Sequence, residues 1–297
     1  MTAYEVLRAP RHAFLRVRGL NIHVRHWGPE PSSSVSPVFL LHGLHDTGDT
    51  FQFMVDAFQR EWPLVALDWR GFGRSEWARD GYWFADYIAD LDALLEQLSD
   101  GESARIVGHS MGGNIAALYA GLRPERVRCV VNLEGNGLPR TTPDQAPARL
   151  RKWLDQVKSV PALKNYDSFE QLASIILHRY PRFTEAQSRF IAEAWGRREA
   201  DGRVYLLGDA RHRWVNPVLY RREEAEACWR EITAPLLMLL GEESDYLPRL
   251  GADGGDAALR ALISGIEIVH IGGAGHMLHI EKPDLVAALV ERFLSAH

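Results

Sequence analysis

A pentapeptide with the pattern Gly-x-Ser-x-Gly occupies residues 108–112 and places Ser110 at its centre. The apolar residues before it suit a short buried strand, and residues 114–120 are rich in helix formers. A chain that turns from strand to helix this abruptly strains its central residue and requires neighbours without side chains. Gly108 and Gly112 meet that requirement. We therefore predict that Ser110 is a nucleophile rather than part of a structural turn.

A serine hydroxyl attacks an ester at neutral pH only with a general base within hydrogen-bond reach. His276 is the best candidate, because it follows a glycine-rich loop at residues 272–275 and an apolar run before that loop. The order nucleophile, acid, histidine is the one that a strand-to-helix serine turn uses. We interpret four further histidines as structural: His42, His45, His109 and His270.

Hydrolysis by a serine nucleophile also requires hydrogen-bond donors that stabilise the negative charge developing on the substrate oxygen. The Met111 amide begins the predicted helix, where the dipole favours an oxyanion. The Leu44 amide, in the loop after the first buried strand, is the second predicted donor. Loss of one such donor typically slows a reaction by about 10²- to 10³-fold. A His42-x-x-His45-Asp46 pattern lies nearby, but no third ligand cluster accompanies it, so we predict neither a metal nor another cofactor.

The rest of the pattern predicts an α/β protein with a parallel sheet and helical crossovers. Alternating residues at 14–27 predict an edge hairpin, followed by a Pro/Ser-rich loop at 29–37. Mostly apolar runs predict strands at residues 38–41, 64–67, 104–107, 127–133, 234–240 and 266–271. Helical patterns lie between the early strands, and the loops at the carboxyl ends of the strands carry the candidate residues.

The alternation of strands and helices stops between residues 136 and 231, where the pattern is mostly helical. Ser168 with Gln171, and Thr184 with Gln187, have the spacing of capping boxes. A small hairpin is predicted at residues 202–208. We therefore predict a core at residues 1–135, a helical cap at 136–231 and the rest of the core at 232–297. We interpret the tryptophans of the cap as packing residues: Trp153, Trp195, Trp214 and Trp229.

The composition is that of an ordinary soluble globular protein, with a net charge of −5 at pH 7. This charge gives no reason to expect a nucleic-acid partner or an anionic membrane partner. The N-terminal residues lack a signal-peptide pattern, and no uncharged run has the length of a membrane span, which favours a cytoplasmic location. Cys129 and Cys228 lie in apolar surroundings, so we predict two buried, unpaired thiols.

Four motifs together resemble those of the α/β-hydrolase superfamily, over nearly the full chain: His42-Gly43, residues 68–75, residues 108–113 and Gly275-His276. The resemblance implies a mostly parallel eight-stranded sheet with helices on both faces and a helical lid after the sixth strand. The capped layout looks like the serine-hydrolase-like and haloalkane-dehalogenase-related branch. Dehalogenases and epoxide hydrolases use an aspartate nucleophile, whereas this chain has Ser110.

Two carboxylates compete for the role of orienting His276. Asp245 follows the penultimate predicted strand, the commonest position for the acid in the superfamily that the chain resembles, and its short side chain suits a loop that bends back. Glu134 ends the strand before the cap, where the dehalogenase-like branch also places its acid. A buried glutamate there needs a partner. We favour Asp245 and keep Glu134 as the alternative.

These residues predict a cofactor-independent serine hydrolase that cleaves a carboxylic ester of moderate size through an acyl-enzyme. The expected partner is a small hydrophobic ester, bound under the cap. The same residues could act on an amide, a lactone or the carbon–carbon bond of a diketone, or catalyse perhydrolysis. A catalytically silent fold that binds a ligand or a protein is the alternative from another class.

Overall fold

The computed structural model describes residues 3–30, 36–99 and 101–297. The middle of the predicted Pro/Ser-rich loop, residues 31–35, lies outside the described residues. The strands are β1 (Arg11–Val17), β2 (Leu20–Trp27), β3 (Val38–Leu41), β4 (Leu64–Leu67), β5 (Ala104–His109), β6 (Val127–Leu133), β7 (Asn165–Tyr166), β8 (Gly196–Arg198), β9 (Val204–Leu206), β10 (Leu236–Gly241) and β11 (Glu267–Ile271). The helices are α1 (Gln52–Ala57), α2 (Phe84–Leu98), α3 (Met111–Leu122), α4 (Ala146–Gln156), α5 (Phe169–Arg179), α6 (Glu185–Trp195), α7 (Arg222–Arg230), α8 (Leu247–Leu250), α9 (Asp256–Leu262), α10 (Leu278–Glu281) and α11 (Pro283–Ala296).

Eight strands form one sheet in the order β1-β2-β4-β3-β5-β6-β10-β11. The first two strands are the predicted hairpin, and β2 runs antiparallel to β4, whereas the remaining neighbours are parallel. The mostly parallel eight-stranded sheet is thus confirmed. Its inner strands are apolar throughout because helices cover both of their faces.

The two faces of the sheet have separate cores. One face packs against α2, α3, α7 and α9, through side chains such as Leu91, Ile115 and Trp229. The other face packs against α1, α10 and α11, through side chains such as Met54 and Val290. This arrangement confirms the predicted helices on both faces of the sheet. Within residues 3–30, 36–99 and 101–297, no helix has both the length and the apolar character needed to cross a bilayer.

The segment between β6 and β10 contains helices α4 to α7 and a small antiparallel sheet in the order β7-β9-β8. The predicted hairpin at 202–208 does not form within that range, which contains one strand, β9. This strand pairs antiparallel with β8 on one side and with β7 on the other. Thr184 and Gln187 form the predicted capping box of α6. Ser168 caps α5 through the Gln171 amide, but the Gln171 side chain accepts from the Asp167 amide instead.

The boundaries of the cap stay a prediction. Helix α7 lies inside the predicted limits of the cap, yet it packs against α3, and its Trp229 is buried in the core of the sheet.

The two cysteines, Cys129 and Cys228, are both free; Cys129 is buried, and Cys228 is only half-buried.

Candidate active site

Ser110 lies in the sharp turn between β5 and α3, with φ 51° and ψ −112°. This left-handed region is costly for a residue other than glycine and is kept only where the surroundings enforce it. The enforcing contacts involve the two flanking glycines. A Cβ on Gly112 would lie 2.1 Å from the Leu41 carbonyl oxygen, and one on Gly108 would lie 2.5 Å from the Gly112 carbonyl oxygen. The turn therefore tolerates no side chain at either position.

His276 reaches Ser110 from the loop after β11. Its Nε2 atom lies 3.0 Å from the Ser110 hydroxyl oxygen, within hydrogen-bond distance. The loop is held in place because the Gly275 amide donates to Glu281, and His109 Nε2 lies 2.9 Å from the His276 carbonyl oxygen. The His276 side chain is 23% exposed, so the ring is open to a small molecule on one side.

Glu134 follows β6 directly and also has a positive φ, 63°. Its side chain is fully buried, and its Oε2 atom lies 3.1 Å from His276 Nδ1. Two further donors fix the carboxylate: the Gly241 amide bonds to Oε1 at 2.6 Å, and the Ser244 hydroxyl bonds to Oε2 at 2.6 Å. These two bonds hold the Glu134 carboxylate in place beside the His276 ring.

Asp245, the acid favoured from the sequence, does not contact His276. Its side chain is 78% exposed and pairs with Arg249 one helical turn later. The loop after β10 turns its Ser244 hydroxyl towards Glu134, while Asp245 faces outwards. The structure therefore corrects the expected contact: the carboxylate beside His276 is that of Glu134.

One predicted oxyanion donor follows Ser110 directly, and the other lies in the loop after β3. Met111 is the first residue of α3, and the loop that carries Leu44 approaches closely, since a Cβ on Gly43 would lie 3.2 Å from the Ser110 Cβ. Among the described residues, neither amide donates a hydrogen bond to a protein acceptor. His45, the next residue in this loop, has φ 61°, which turns the chain sharply after Leu44.

His42 stabilises this loop and has no free nitrogen. Its Nε2 atom accepts from the Trp69 amide at 2.9 Å, which leaves Nδ1 to donate to the Gly43 carbonyl oxygen at 2.7 Å. Burial lowers the pKa of His42 to about 4, so the ring is neutral at physiological pH. The structural interpretation of His42 agrees with these contacts.

Two asparagines that the sequence reasoning missed hold the segments around Ser110 and Glu134 in place. Asn132 in β6 accepts from the Gly135 amide at 2.7 Å and donates to the Gly113 carbonyl oxygen at 3.1 Å. Asn114 in α3 accepts from the Gly137 amide at 2.7 Å. These bonds tie the turn at Ser110 to the segment after Glu134. The available signal was a lone polar residue, Asn132, within an otherwise apolar strand.

The motif at residues 68–75 is structural, since its aspartate is buried beneath the loops. Asp68 accepts from Arg25 at 2.6 Å and from the Gly48 and Arg74 amides, and it pairs with His23. The Arg25 charge and these hydrogen bonds hold the pKa of Asp68 well below its usual range, against the opposing effect of burial.

The sequence and the fold of this chain are similar to those of several known proteins. Residues 36–283 match the family model described as alpha/beta hydrolase fold. The chain is 28% identical over 283 residues to the "Serine hydrolase-like protein" of Danio rerio, covering 90% of this chain and 83% of that protein. It is 24% identical to the "2-(acetamidomethylene)succinate hydrolase" of Mesorhizobium japonicum, covering 93% and 92%. The solved thioesterase domain from the curacin biosynthetic pathway superposes with a TM-score of 0.84 at 24% identity, covering 96% and 99%.

Proposed function

This chain belongs to the α/β-hydrolase fold family and is an enzyme of the serine-hydrolase type, and on that premise we propose that it cleaves a carboxylic ester of moderate size. The reaction passes through an acyl-enzyme on Ser110. One observation carries the proposal: Ser110 Oγ lies 3.0 Å from His276 Nε2, and His276 Nδ1 lies 3.1 Å from Glu134 Oε2.

In the proposed mechanism, His276 is the general base and then the general acid. Because Glu134 can only accept, the His276 proton resides on Nδ1, and the Nε2 lone pair faces Ser110. The ring takes the Ser110 proton as Oγ attacks the ester carbonyl, and it returns this proton to the leaving alcohol. Water then attacks the acyl-enzyme by the same route and releases the acid.

We assign the orienting role to Glu134 and not to Asp245. The Glu134 carboxylate accepts from Gly241 and Ser244 as well as facing His276, so it holds the ring in one orientation. It also stabilises the imidazolium that forms when Ser110 is deprotonated. The Met111 and Leu44 amides are the proposed donors to the oxyanion, because Met111 follows Ser110 and Leu44 follows Gly43, which approaches the Ser110 side chain. Neither amide has a protein acceptor among the described residues.

The surroundings of His276 favour a hydrophobic acyl or alcohol group. The Tyr246 ring centroid lies 5.2 Å from that of His276, and the Tyr246 hydroxyl bonds to the Gly137 carbonyl oxygen. Leu138, the next residue, and Leu44 beside the nucleophile are both exposed large apolar side chains. We propose that this apolar surface, together with the segment 136–231, selects the substrate and takes no part in bond cleavage.

A panel of matched substrates tests the bond type. We expect p-nitrophenyl butyrate to be hydrolysed at least about 10²-fold faster than the corresponding p-nitroanilide, because an alcohol leaves more readily than an amine. The amide belongs in the panel because one relative is named for an acetamido compound. A lactone and a diketone complete the panel, and Ser110→Ala is the control for background hydrolysis. Faster cleavage of the anilide, the lactone or the diketone would overturn the assignment to esters.

A further inference from the structure

Three buried polar side chains converge behind the active site, and the reaction proposed above uses none of them. Asp46, His109 and His279 each offer one potential ligand atom, and these atoms lie within 4.8 Å of one another. The three residues are between 0% and 3% exposed. They come from three separate elements, the loop after β3, the end of β5 and helix α10, so the fold itself brings them together.

His109 has one ring nitrogen that is not used by the fold. Its Nε2 atom must donate to the His276 carbonyl oxygen at 2.9 Å, because a carbonyl can only accept, and this leaves Nδ1 as the remaining ring nitrogen. Among the described residues, no group donates to His109 Nδ1.

His279 adds a second imidazole. Its ring centroid lies 4.4 Å from that of His109. Neither of its ring nitrogens has a hydrogen-bond partner in the part of the chain that the structure describes. A buried polar atom without a partner costs free energy, so two such rings in contact need an explanation.

Asp46 supplies a carboxyl oxygen to the cluster. Its Oδ1 atom accepts from the Thr47 amide at 2.7 Å and from Trp195 Nε1 at 2.8 Å, whereas Oδ2, among the described residues, accepts only from the Thr50 hydroxyl.

We propose that Asp46, His109 and His279 bind one divalent transition-metal ion, with Zn²⁺ as the best match. Two imidazole nitrogens and one carboxylate oxygen are a donor set that Zn²⁺ uses, with bonds of about 2.0–2.2 Å. Tetrahedral ligands at that length lie about 3.4 Å apart, so binding draws the three side chains together. His42 and His45, the partners suggested by the sequence spacing, are not part of this cluster, and both nitrogens of His42 are already bonded.

The test uses Co²⁺, whose visible absorption reports tetrahedral binding without any substrate, so it is independent of the reaction at Ser110. Chelator-treated protein should bind one Co²⁺ per chain, and Zn²⁺ should displace it. His279→Gln and Asp46→Asn should each weaken binding by at least about 10²-fold, since even outer partners of metal ligands contribute 10- to 100-fold. His270→Gln is the matched control, because His270 is exposed and pairs with Asp256.

Circular dichroism verifies that each variant is folded, and the isosteric Asp46→Asn replacement covers the case in which His279→Gln does not fold. Unchanged affinity in a folded His279→Gln or Asp46→Asn variant would overturn the proposal. The absence of stoichiometric binding by the wild-type protein would also overturn it, as would loss of binding in His270→Gln.

Discussion

Replacing Glu134 with glutamine should disable the proposed triad while leaving its packing nearly unchanged. The Gly241 amide donates to Glu134 Oε1 at 2.6 Å, so the amide oxygen of the glutamine keeps that position. The amide nitrogen then faces His276 Nδ1 and, as a donor, requires the lone pair to be on Nδ1. The His276 proton therefore moves to Nε2. A protonated Nε2 has no lone pair and cannot accept the proton of Ser110.

The wrong tautomer should lower kcat by about 10⁴-fold, which corresponds to about 5 kcal/mol in the activation free energy. Asp245→Asn is the matched control, since it removes only an exposed ion pair with Arg249. Its kcat should stay within about twofold of the wild-type value, because exposed pairs contribute little. The stability of Glu134→Gln should fall far less than its activity, since the Ser244 hydroxyl can accept from the new amide.

The assay compares the kcat values of both variants on p-nitrophenyl butyrate at one pH, with near-ultraviolet circular dichroism as the folding control. A folded Glu134→Gln variant that keeps more than about a tenth of the wild-type kcat would refute the role of Glu134 in orienting His276. Loss of activity in Asp245→Asn would return the orienting role to the residue first favoured from the sequence.

Three further predictions concern stability and specificity. As the pH falls from 6.5 towards 4, wild-type stability should decrease more steeply than that of His42→Gln, by up to about 1.4 kcal/mol per pH unit. The reason is that His42 takes up a proton near pH 6.5 in the unfolded chain, whereas burial keeps its folded-state pKa at about 4. Urea unfolding at pH 7, 6 and 5 measures this, and an equal pH dependence of the free energy of unfolding in the two proteins would contradict it. Arg222→Ala should lower the free energy of unfolding by about 3–5 kcal/mol, because Arg222 is fully buried and bonds Glu226 and three carbonyl oxygens. Urea denaturation should show a much smaller loss for Arg230→Ala, whose side chain is 55% exposed, and equal losses would refute the buried role. Trp153→Ala should change the ratio of kcat/KM between butyrate and octanoate esters if the cap selects the acyl group, whereas equal losses on both esters would indicate a folding role.

The turn at Ser110, the approach of His276 and the inner strands could be predicted because local sequence determines them. The turn at Ser110 needs two glycines at fixed spacing, and the structure shows the steric reason, since Gly112 touches the Leu41 carbonyl. Buried parallel strands such as β3 and β4 are apolar throughout, and their burial on both faces matches that pattern. These features depend on a few neighbouring residues.

The carboxylate that contacts His276 could not be chosen from the sequence, because this contact depends on the approach of distant loops. Glu134 faces His276 because its positive φ directs the carboxylate towards the Gly241 amide, 107 positions later in the chain. Nothing in the local sequence distinguishes that outcome from a bend that brings Asp245 inwards. The cluster of Asp46, His109 and His279 is likewise a product of tertiary folding. The short strands β7 and β8 carry too few residues to show a period.

Covalent labelling with a fluorophosphonate tests whether Ser110 is an activated nucleophile, because only an activated serine reacts with this probe. We expect one adduct per chain, located on Ser110 by peptide mass spectrometry, and no adduct on folded Ser110→Ala. Labelling should also fall steeply in His276→Ala, since the 3.0 Å contact with Nε2 activates the hydroxyl. A folded wild-type protein that stays unlabelled, or one that is labelled at another residue, would contradict the account and favour a fold that binds ligands without catalysis.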